Sequence, residues 1–347
     1  MKKIVVKVGS SVIAPHGKLD SFLITRIVKD ILEAERKGYG IVLVSSGAIA
    51  CGLNKLGYKK FPQDIHSLMA FSSLGQVALM NIYAEKFKKY KKLCAQILLT
   101  WDDFDNRKRF INARCTIDKL FAMGIIPIIN ENDAVSYEEI RFGDNDRLSA
   151  LVSDLIRAEA LIILSDVEGL LENDNVIRMV PQIDAKILSL AKSEDKTHTR
   201  GGMITKLEAA KIAASSGIKT IIAHGGKSNV ICRIIAGEGL GTLFLAQNEI
   251  ARARKRWIAF SKKMKGKVFI DEGASQALLN RGKSLLSVGI IRIEGSFKRG
   301  DAVCIVDKED RICGCGIINY SSDELSDFKG KKFEKEIIHR DNFVKRG

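Results

Sequence analysis

Short, nearly continuous apolar runs alternate along the first two thirds of the chain with longer segments whose apolar residues recur every three to four positions. The runs KKIVVKV (2–8), GIVLVSS (40–46), CAQILLT (94–100), GIIPIIN (124–130), ALIILSD (160–166) and KTIIAHG (219–225) read as strands, and the segments near 20–37, 64–90, 107–123, 147–158, 183–192 and 203–216 read as helices. Strands that are apolar on both faces and separated by helices imply a parallel sheet covered on both sides. In such sheets ligands bind beyond the carboxyl ends of the strands, so those ends are where chemistry is expected. After the Arg- and Lys-rich segment 245–260 the pattern changes to short strands divided by Gly turns, the mark of a small all-β unit. The expected division is an α/β domain over 1–251 and an all-β domain over 252–347.

Composition narrows this picture in three ways. The first residues lack the long apolar stretch and small-residue cleavage site of a signal peptide, and no continuous apolar run approaches the ~20 residues of a membrane span. Seven cysteines without a regular framework fit reduced thiols, hence a cytoplasmic protein; Cys313 and Cys315 lack the second pair a zinc site needs and read as strand residues. The net charge of +15 is uneven, with 22 Lys and Arg against 13 Asp and Glu in residues 252–347. Such a balance suits an anionic partner such as RNA, or simply a solvated basic surface.

Four strand ends carry candidate chemistry. The first holds Lys7, Gly9, Ser10 and Ser11, and the second Ser45, Ser46, Gly47 and Ala48. Glycines at a strand-to-helix turn let backbone N–H groups approach an anion, although each Gly could equally serve only a tight turn. A further Gly-rich turn, TRGGMITK (199–206), opens a helix and sets Lys206 in its first turns, where a second cation would face the crevice. INENDAV (129–135) then puts Asn130, Glu131, Asn132 and Asp133 at a sheet edge, and a polar segment leads to GDND, with Asp144, Asn145 and Asp146. Helix capping accounts for one of those three side chains, not all. Carboxylates beside a phosphate cradle call for a metal or a cationic part of the substrate. Two tempting nucleotide signatures fail: GGKS (225–228) would need a Gly where Ile221 stands, and GEGLG (237–241) lacks both the third glycine spacing and a strand–turn–helix context.

Taken together, KVGSSV, VSSGAIA, QILLT, RFINAR, NENDAV, GDND, LSALV, GGMITK and GTLF, in this order and spacing, resemble glutamate 5-kinase of the amino-acid kinase superfamily. RKRWIAF, IDEGAS, LLSVGI, GSFKRGDAV, GCGIINYSSDEL and HRDNF resemble the PUA domain that many members carry at the C-terminus. The resemblance spans essentially the whole chain. It implies an αβα sandwich around a mainly parallel sheet followed by a small PUA domain, and transfer of the γ-phosphoryl of ATP to the side-chain carboxylate of L-glutamate, the first step of proline biosynthesis.

Carried over residue by residue, the resemblance assigns Lys7, Lys206 and Asp146 to catalysis, the carboxylate orienting the two lysines. It places Ser46, Asp133 and Asn145, with Asp144 in the same loop, on glutamate. Lys7, Gly9, Ser165, Asp166, Arg200, Gly201, Gly202, Met203, Ile204, Thr205 and Lys206 fall to ATP. Thr199 and Arg200 depart from the family's usual Gly-Thr before the glycine pair. Mg²⁺ is expected to ride on substrate phosphates, since it usually keeps several waters, so no metal-ligating residues are assigned. The resemblance further implies feedback inhibition by proline, a homodimer or homotetramer, a glutamate-5-phosphate reductase as neighbouring enzyme, and no membrane association. Superfamily kinases for aspartate, N-acetylglutamate, carbamate or UMP are the rival enzymes, and RNA binding by the PUA domain is the alternative from another class.

Overall fold

Strand β1 (Lys2–Val8) is at the centre of the fold because it is apolar on both sides: Val5, Val6 and Val8 are fully buried and Ile4 nearly so. It pairs in parallel with β2 (Tyr39–Ser45) and with β5 (Ala160–Ser165). The computed structural model describes residues 1–58, 61–62, 64–135, 145–194, 202–247, 262–326 and 336–345, with Lys255, Ile258 and Phe333. Its residues divide into two units, Met1–Ile250 and Ala251–Gly347.

In the first unit, β3 (Cys94–Leu99), β4 (Ile126–Glu131), β6 (Leu171–Glu172), β7 (Asn175–Val176), β8 (Met179–Val180), β9 (Lys219–His224) and β10 (Thr242–Phe244) complete the strands. The main sheet runs β3-β4-β2-β1-β5-β9-β10-β8, parallel from β3 to β9, with β10 antiparallel to β9; β6 and β7 form a separate hairpin. Alternation decides which side chains reach which face. Ile4, Val6 and Val8 of β1 join Ile41, Leu43, Ile128, Ile162 and Leu164 against α2 (Ser21–Arg36), α4 (Ile65–Lys88) and α10 (Val230–Ile235). Val5 and Lys7 face the other way, toward α7 (Asn145–Ile156) and α9 (Met203–Ser215), which pack on each other. Four further helices are α1 (Ser10–Ile13), α5 (Trp101–Asp105), α6 (Arg107–Ala122) and α8 (Ala185–Glu194). The expected strands and helices all appear, within a few residues of the expected bounds.

Helix α3 (Ala48–Lys55) was not signalled by periodicity, because it is short and buries Ala48, Ala50, Cys51, Gly52 and Leu53 together. It crosses α4 at two glycines. A Cβ on Gly75 would sit 1.8 Å from the Ala48 carbonyl oxygen, and one on Gly52 would sit 2.0 Å from that of Phe71. Helix α4 is long and apolar enough by length and composition to cross a membrane, although polar residues interrupt it throughout. Leu68, Phe71, Leu79, Tyr83 and Phe87 of α4 are buried, while Leu74 and Val77 are exposed.

The second unit is a five-stranded sheet in the order β12-β11-β13-β14-β15, built from β11 (Met264–Ile270), β12 (Ile290–Gly295), β13 (Ala302–Val306), β14 (Ile312–Ile317) and β15 (Phe343–Lys345). Only β11 and β13 pair in parallel among the described residues. Cys313 and Cys315 lie on β14, as read from the sequence. The strand pattern is interrupted by two helices that it did not reveal, α11 (Glu272–Leu279) and the short α12 (Ser322–Leu325). Asp271 caps α11 by accepting from the Ala274 N–H at 2.7 Å, and Leu278 anchors it in a core with Val268, Ile270, Val303 and Ile305.

Candidate active site

Lys7 lies near the end of β1, and its register puts the ammonium under the start of α7, where Asp146 occupies the first turn. The Lys7 Nζ is 2.6 Å from Asp146 Oδ1, and the Lys206 Nζ, from the first turns of α9, is 3.4 Å from Oδ2. All three are buried, with 6%, 1% and 5% of Lys7, Asp146 and Lys206 accessible. Thr205 Oγ1 donates to Asp146 Oδ2 at 2.8 Å. Burial alone would push the Asp146 carboxyl up, but Lys7 first, then Lys206, and the hydrogen bonds to it hold it at about 2. Two cations thus share one buried anion at the carboxyl ends of β1 and β5. Gly9 lies beside them, and a Cβ there would make only ordinary contacts, 3.6 Å from the Lys7 ammonium.

A second cluster lies across the ends of β2 and β4. Asn145 Nδ2 donates to Ser46 Oγ and to Asn130 Oδ1, each at 3.0 Å. Asn130 Nδ2 donates to Gln76 Oε1 at 2.8 Å, and Ser72 Oγ donates to Asp133 Oδ2 at 2.6 Å. Asn145 Oδ1 is buried and has no hydrogen-bond partner among the described residues. Ser46, Asn145 and Asn130 are therefore one network, and Asp133 is tied to the same helix, α4, through Ser72. Sequence reasoning missed Ser72 and Gln76. Nothing local in the sequence sets these two apart from the other polar residues of α4.

On the nucleotide side, Ser165 closes β5 and donates to Asp166 Oδ1 at 2.9 Å. Burial raises the Asp166 carboxyl, while the Ser165 and Ser11 hydroxyls and Lys206 hold it below its ordinary value. Gly202 precedes α9 without a side-chain cap, and Gly47 precedes α3 likewise, with a φ of 103° that favours glycine. Uncapped N–H groups at helix starts are ready donors for anionic oxygens. The Met203 side chain is buried, whereas Ile204 and Thr205 are partly exposed. Asp144, Arg200 and Gly201, with the segment leading to GDND, lie outside the described residues. Among the described residues no three His, Cys, Asp or Glu side chains converge as metal ligands.

Comparison with known proteins shows what the whole chain resembles. The profile of the Amino acid kinase family matches residues 2–224, and that of the PUA domain matches residues 266–340. The chain is 42% identical to glutamate 5-kinase of Caldanaerobacter subterraneus, with 99% of this chain and 97% of that one covered. It is 44% identical to glutamate 5-kinase of Syntrophotalea carbinolica over the same shares. The chain belongs to the glutamate 5-kinase family. A solved carbamate kinase from Giardia lamblia bound to AMP-PNP has the same fold, with a TM-score of 0.50 at 18% identity, covering 71% of this chain and 99% of that one. Glutamate 5-kinase family membership accounts for both units and for the order of the motifs at the strand ends.

The PUA unit carries a separate feature. A cleft of ≈ 280 Å³ is lined by Lys255, Lys283, Arg340 and Lys345, with Asp341 at its edge and Leu278, Leu279 and Phe343 as apolar lining. Among the described residues none of the four cations lies within 4.0 Å of a carboxylate oxygen.

Proposed function

We propose that this protein transfers the γ-phosphoryl group of ATP to the γ-carboxylate of L-glutamate, giving L-glutamyl 5-phosphate and ADP, the entry reaction of proline biosynthesis. The observation that carries the reading is the Lys7–Asp146–Lys206 cluster, with contacts of 2.6 and 3.4 Å, in a chain over 40% identical to glutamate 5-kinases along its length. A glutamate side chain, with a reference pKa of about 4.3, is already ionised near neutral pH, so the nucleophile needs no general base. One carboxylate oxygen forms a bond to the γ-phosphorus as the bond to the β,γ-bridging oxygen breaks and ADP leaves. The difficulty is bringing two anions together, and cations aimed at the phosphoryl oxygens meet it.

Lys7 and Lys206 supply that charge, and Asp146 sets their positions. Ser46, Asp133 and Asn145 hold glutamate, with Asp144 from the adjoining loop. Gly9, Ser165, Asp166 and the turn from Arg200 through Gly201, Gly202, Met203, Ile204 and Thr205 to Lys206 hold ATP. Mg²⁺ enters on the nucleotide; the donor set fits this, because Asp146 is committed to the lysines and no other carboxylate cluster is at hand among the described residues. Family membership also supports proline as feedback inhibitor, a homodimer or homotetramer, a glutamate-5-phosphate reductase acting on the product, and action in the cytoplasm.

The test is ATP- and Mg²⁺-dependent formation of γ-glutamyl hydroxamate in the presence of hydroxylamine, with aspartate and N-acetylglutamate as parallel acceptors. Product from glutamate alone is expected; product from another acceptor alone would overturn the substrate assignment. A second reading, RNA binding by the PUA unit, is favoured by the cleft that gathers Lys255, Lys283, Arg340 and Lys345.

A further inference from the structure

The amide network behind the glutamate cluster has a fixed polarity, and the polarity can be read from an unambiguous donor. The backbone N–H of Glu131 donates to Asn130 Oδ1 at 2.9 Å. A backbone nitrogen can only donate, so this bond fixes which end of the Asn130 amide is oxygen. The Asn130 nitrogen must then face Gln76, whose Oε1 accepts at 2.8 Å. The same Asn130 oxygen accepts from Asn145 at 3.0 Å, so Asn145 turns its nitrogen inward and its oxygen outward. That outward oxygen is the buried Oδ1 with no partner among the described residues. A buried acceptor without a donor costs free energy until a ligand supplies one.

Resting on the reading of glutamate as substrate, we propose that Gln76 is a positioning residue for substrate selection. By accepting from Asn130 it holds Asn130 and Asn145 in the orientation that presents an acceptor to the substrate's α-ammonium. Gln76 is buried and lies on α4, away from the strand-end motifs. Without its Oε1 the buried Asn130 nitrogen loses its acceptor, the Asn130 amide is held only by the Glu131 N–H, and the Asn145 amide that it supports is freed to turn. Asn145 then offers N–H groups where a cation must bind, which selects against a free amino acid. The γ-carboxylate and the phosphoryl-transfer machinery at Lys7, Asp146 and Lys206 are untouched by this change.

The full chain carrying Gln76→Met, similar in size but without the oxygen, is compared with Gln76→Glu, whose carboxyl still offers an acceptor. Glutarate, which is glutamate without the ammonium, serves as a competitive inhibitor of hydroxamate formation. Gln76→Met is expected to raise the glutamate KM about tenfold with kcat within about twofold, the loss of roughly one hydrogen bond to a charged group. The glutarate inhibition constant stays unchanged, and Gln76→Glu returns the glutamate KM to within a few fold of the wild type. Equal weakening of glutamate and glutarate, a fall in kcat with unchanged KM, or failure of Gln76→Glu to restore KM overturns the proposal. So does a Gln76→Met protein indistinguishable from the wild type. Wild-type protein that forms no γ-glutamyl hydroxamate at all defeats instead the substrate assignment on which the proposal rests.

Discussion

At the scale of single residues, the proposed reaction separates groups that would act on charge in the transition state from groups that would read the acceptor. Asp146 belongs to the first kind, since it touches both lysines. Asp146→Asn is expected to lower kcat by about 10²-fold or more while the glutamate KM changes little, because misplaced cations weaken transition-state stabilisation first. Steady-state kinetics against glutamate check this, and a KM-dominated defect would move Asp146 to the substrate group. Its carboxyl is held at about 2, below its unfolded value near 3.9. A depressed carboxylate contributes stability that is present above the unfolded pKa and is lost as pH falls through the folded one. Wild type and Asp146→Asn should therefore differ most in denaturant midpoint near pH 7, and the gap should narrow between about pH 4 and pH 2. Asp133 is the counterpart on the substrate side, held by Ser72 at 2.6 Å. Asp133→Ala should raise the glutamate KM by about 10- to 100-fold, the worth of a charge-assisted hydrogen bond, with a smaller change in kcat. An unaltered saturation curve would remove Asp133 from the site.

At the scale of elements, the site depends on how closely α4 lies against α3, because α4 delivers Ser72 and Gln76 to the ends of β4 and α7. Gly75 makes that approach feasible, and any Cβ there would meet the Ala48 carbonyl oxygen at 1.8 Å and the Gly52 nitrogen at 2.4 Å. Gly75→Ala should cost about 3 kcal/mol by forcing the helices apart, a fall in Tm of several degrees, and should raise the glutamate KM as Ser72 and Gln76 move. Gly239→Ala, where a Cβ meets nothing within 4 Å, is the control and should leave both unchanged. Thermal melts and glutamate titrations of the two variants decide it. The same contrast explains what was legible in the sequence. Strands β1 to β5 and β9, and the long helices, were readable because each repeats its period over enough residues to stand out. Lys7, Asp146 and Lys206 were readable because they sit in strand-end motifs. Ser72 and Gln76 were not, since nothing local distinguishes a polar residue on a helix facing a network from one facing water. Helix α3 and the helix α11 within the PUA unit escaped because eight residues are too few to display amphipathic periodicity.

At the scale of the whole molecule, charge is distributed in a way the kinase reaction does not use. The chain carries a net charge of +15, and residues 252–347 hold nine more cations than anions. Surface lysines scattered singly would need no explanation, but Lys255, Lys283, Arg340 and Lys345 converge on one cleft of ≈ 280 Å³ in which Asp341 is the one acidic residue among the described lining. Grouped cations repel one another, and an anionic ligand relieves that repulsion. If RNA phosphates are that ligand, each neutralised phosphate releases counterions, and binding must weaken steeply with salt. Four contacts imply that log K falls against log salt concentration with a slope of about −3 for a single strand. Titrating the full chain with labelled single-stranded RNA at several salt concentrations measures that slope. Lys283→Ala together with Arg340→Ala should reduce its magnitude by about 1 to 1.5 while hydroxamate formation from glutamate stays as in the wild type, since neither residue belongs to the kinase site. A slope that both substitutions leave unchanged would show that RNA binds elsewhere on the basic surface. Absence of binding at low salt, where screening is weakest, would remove RNA as the ligand of this cleft.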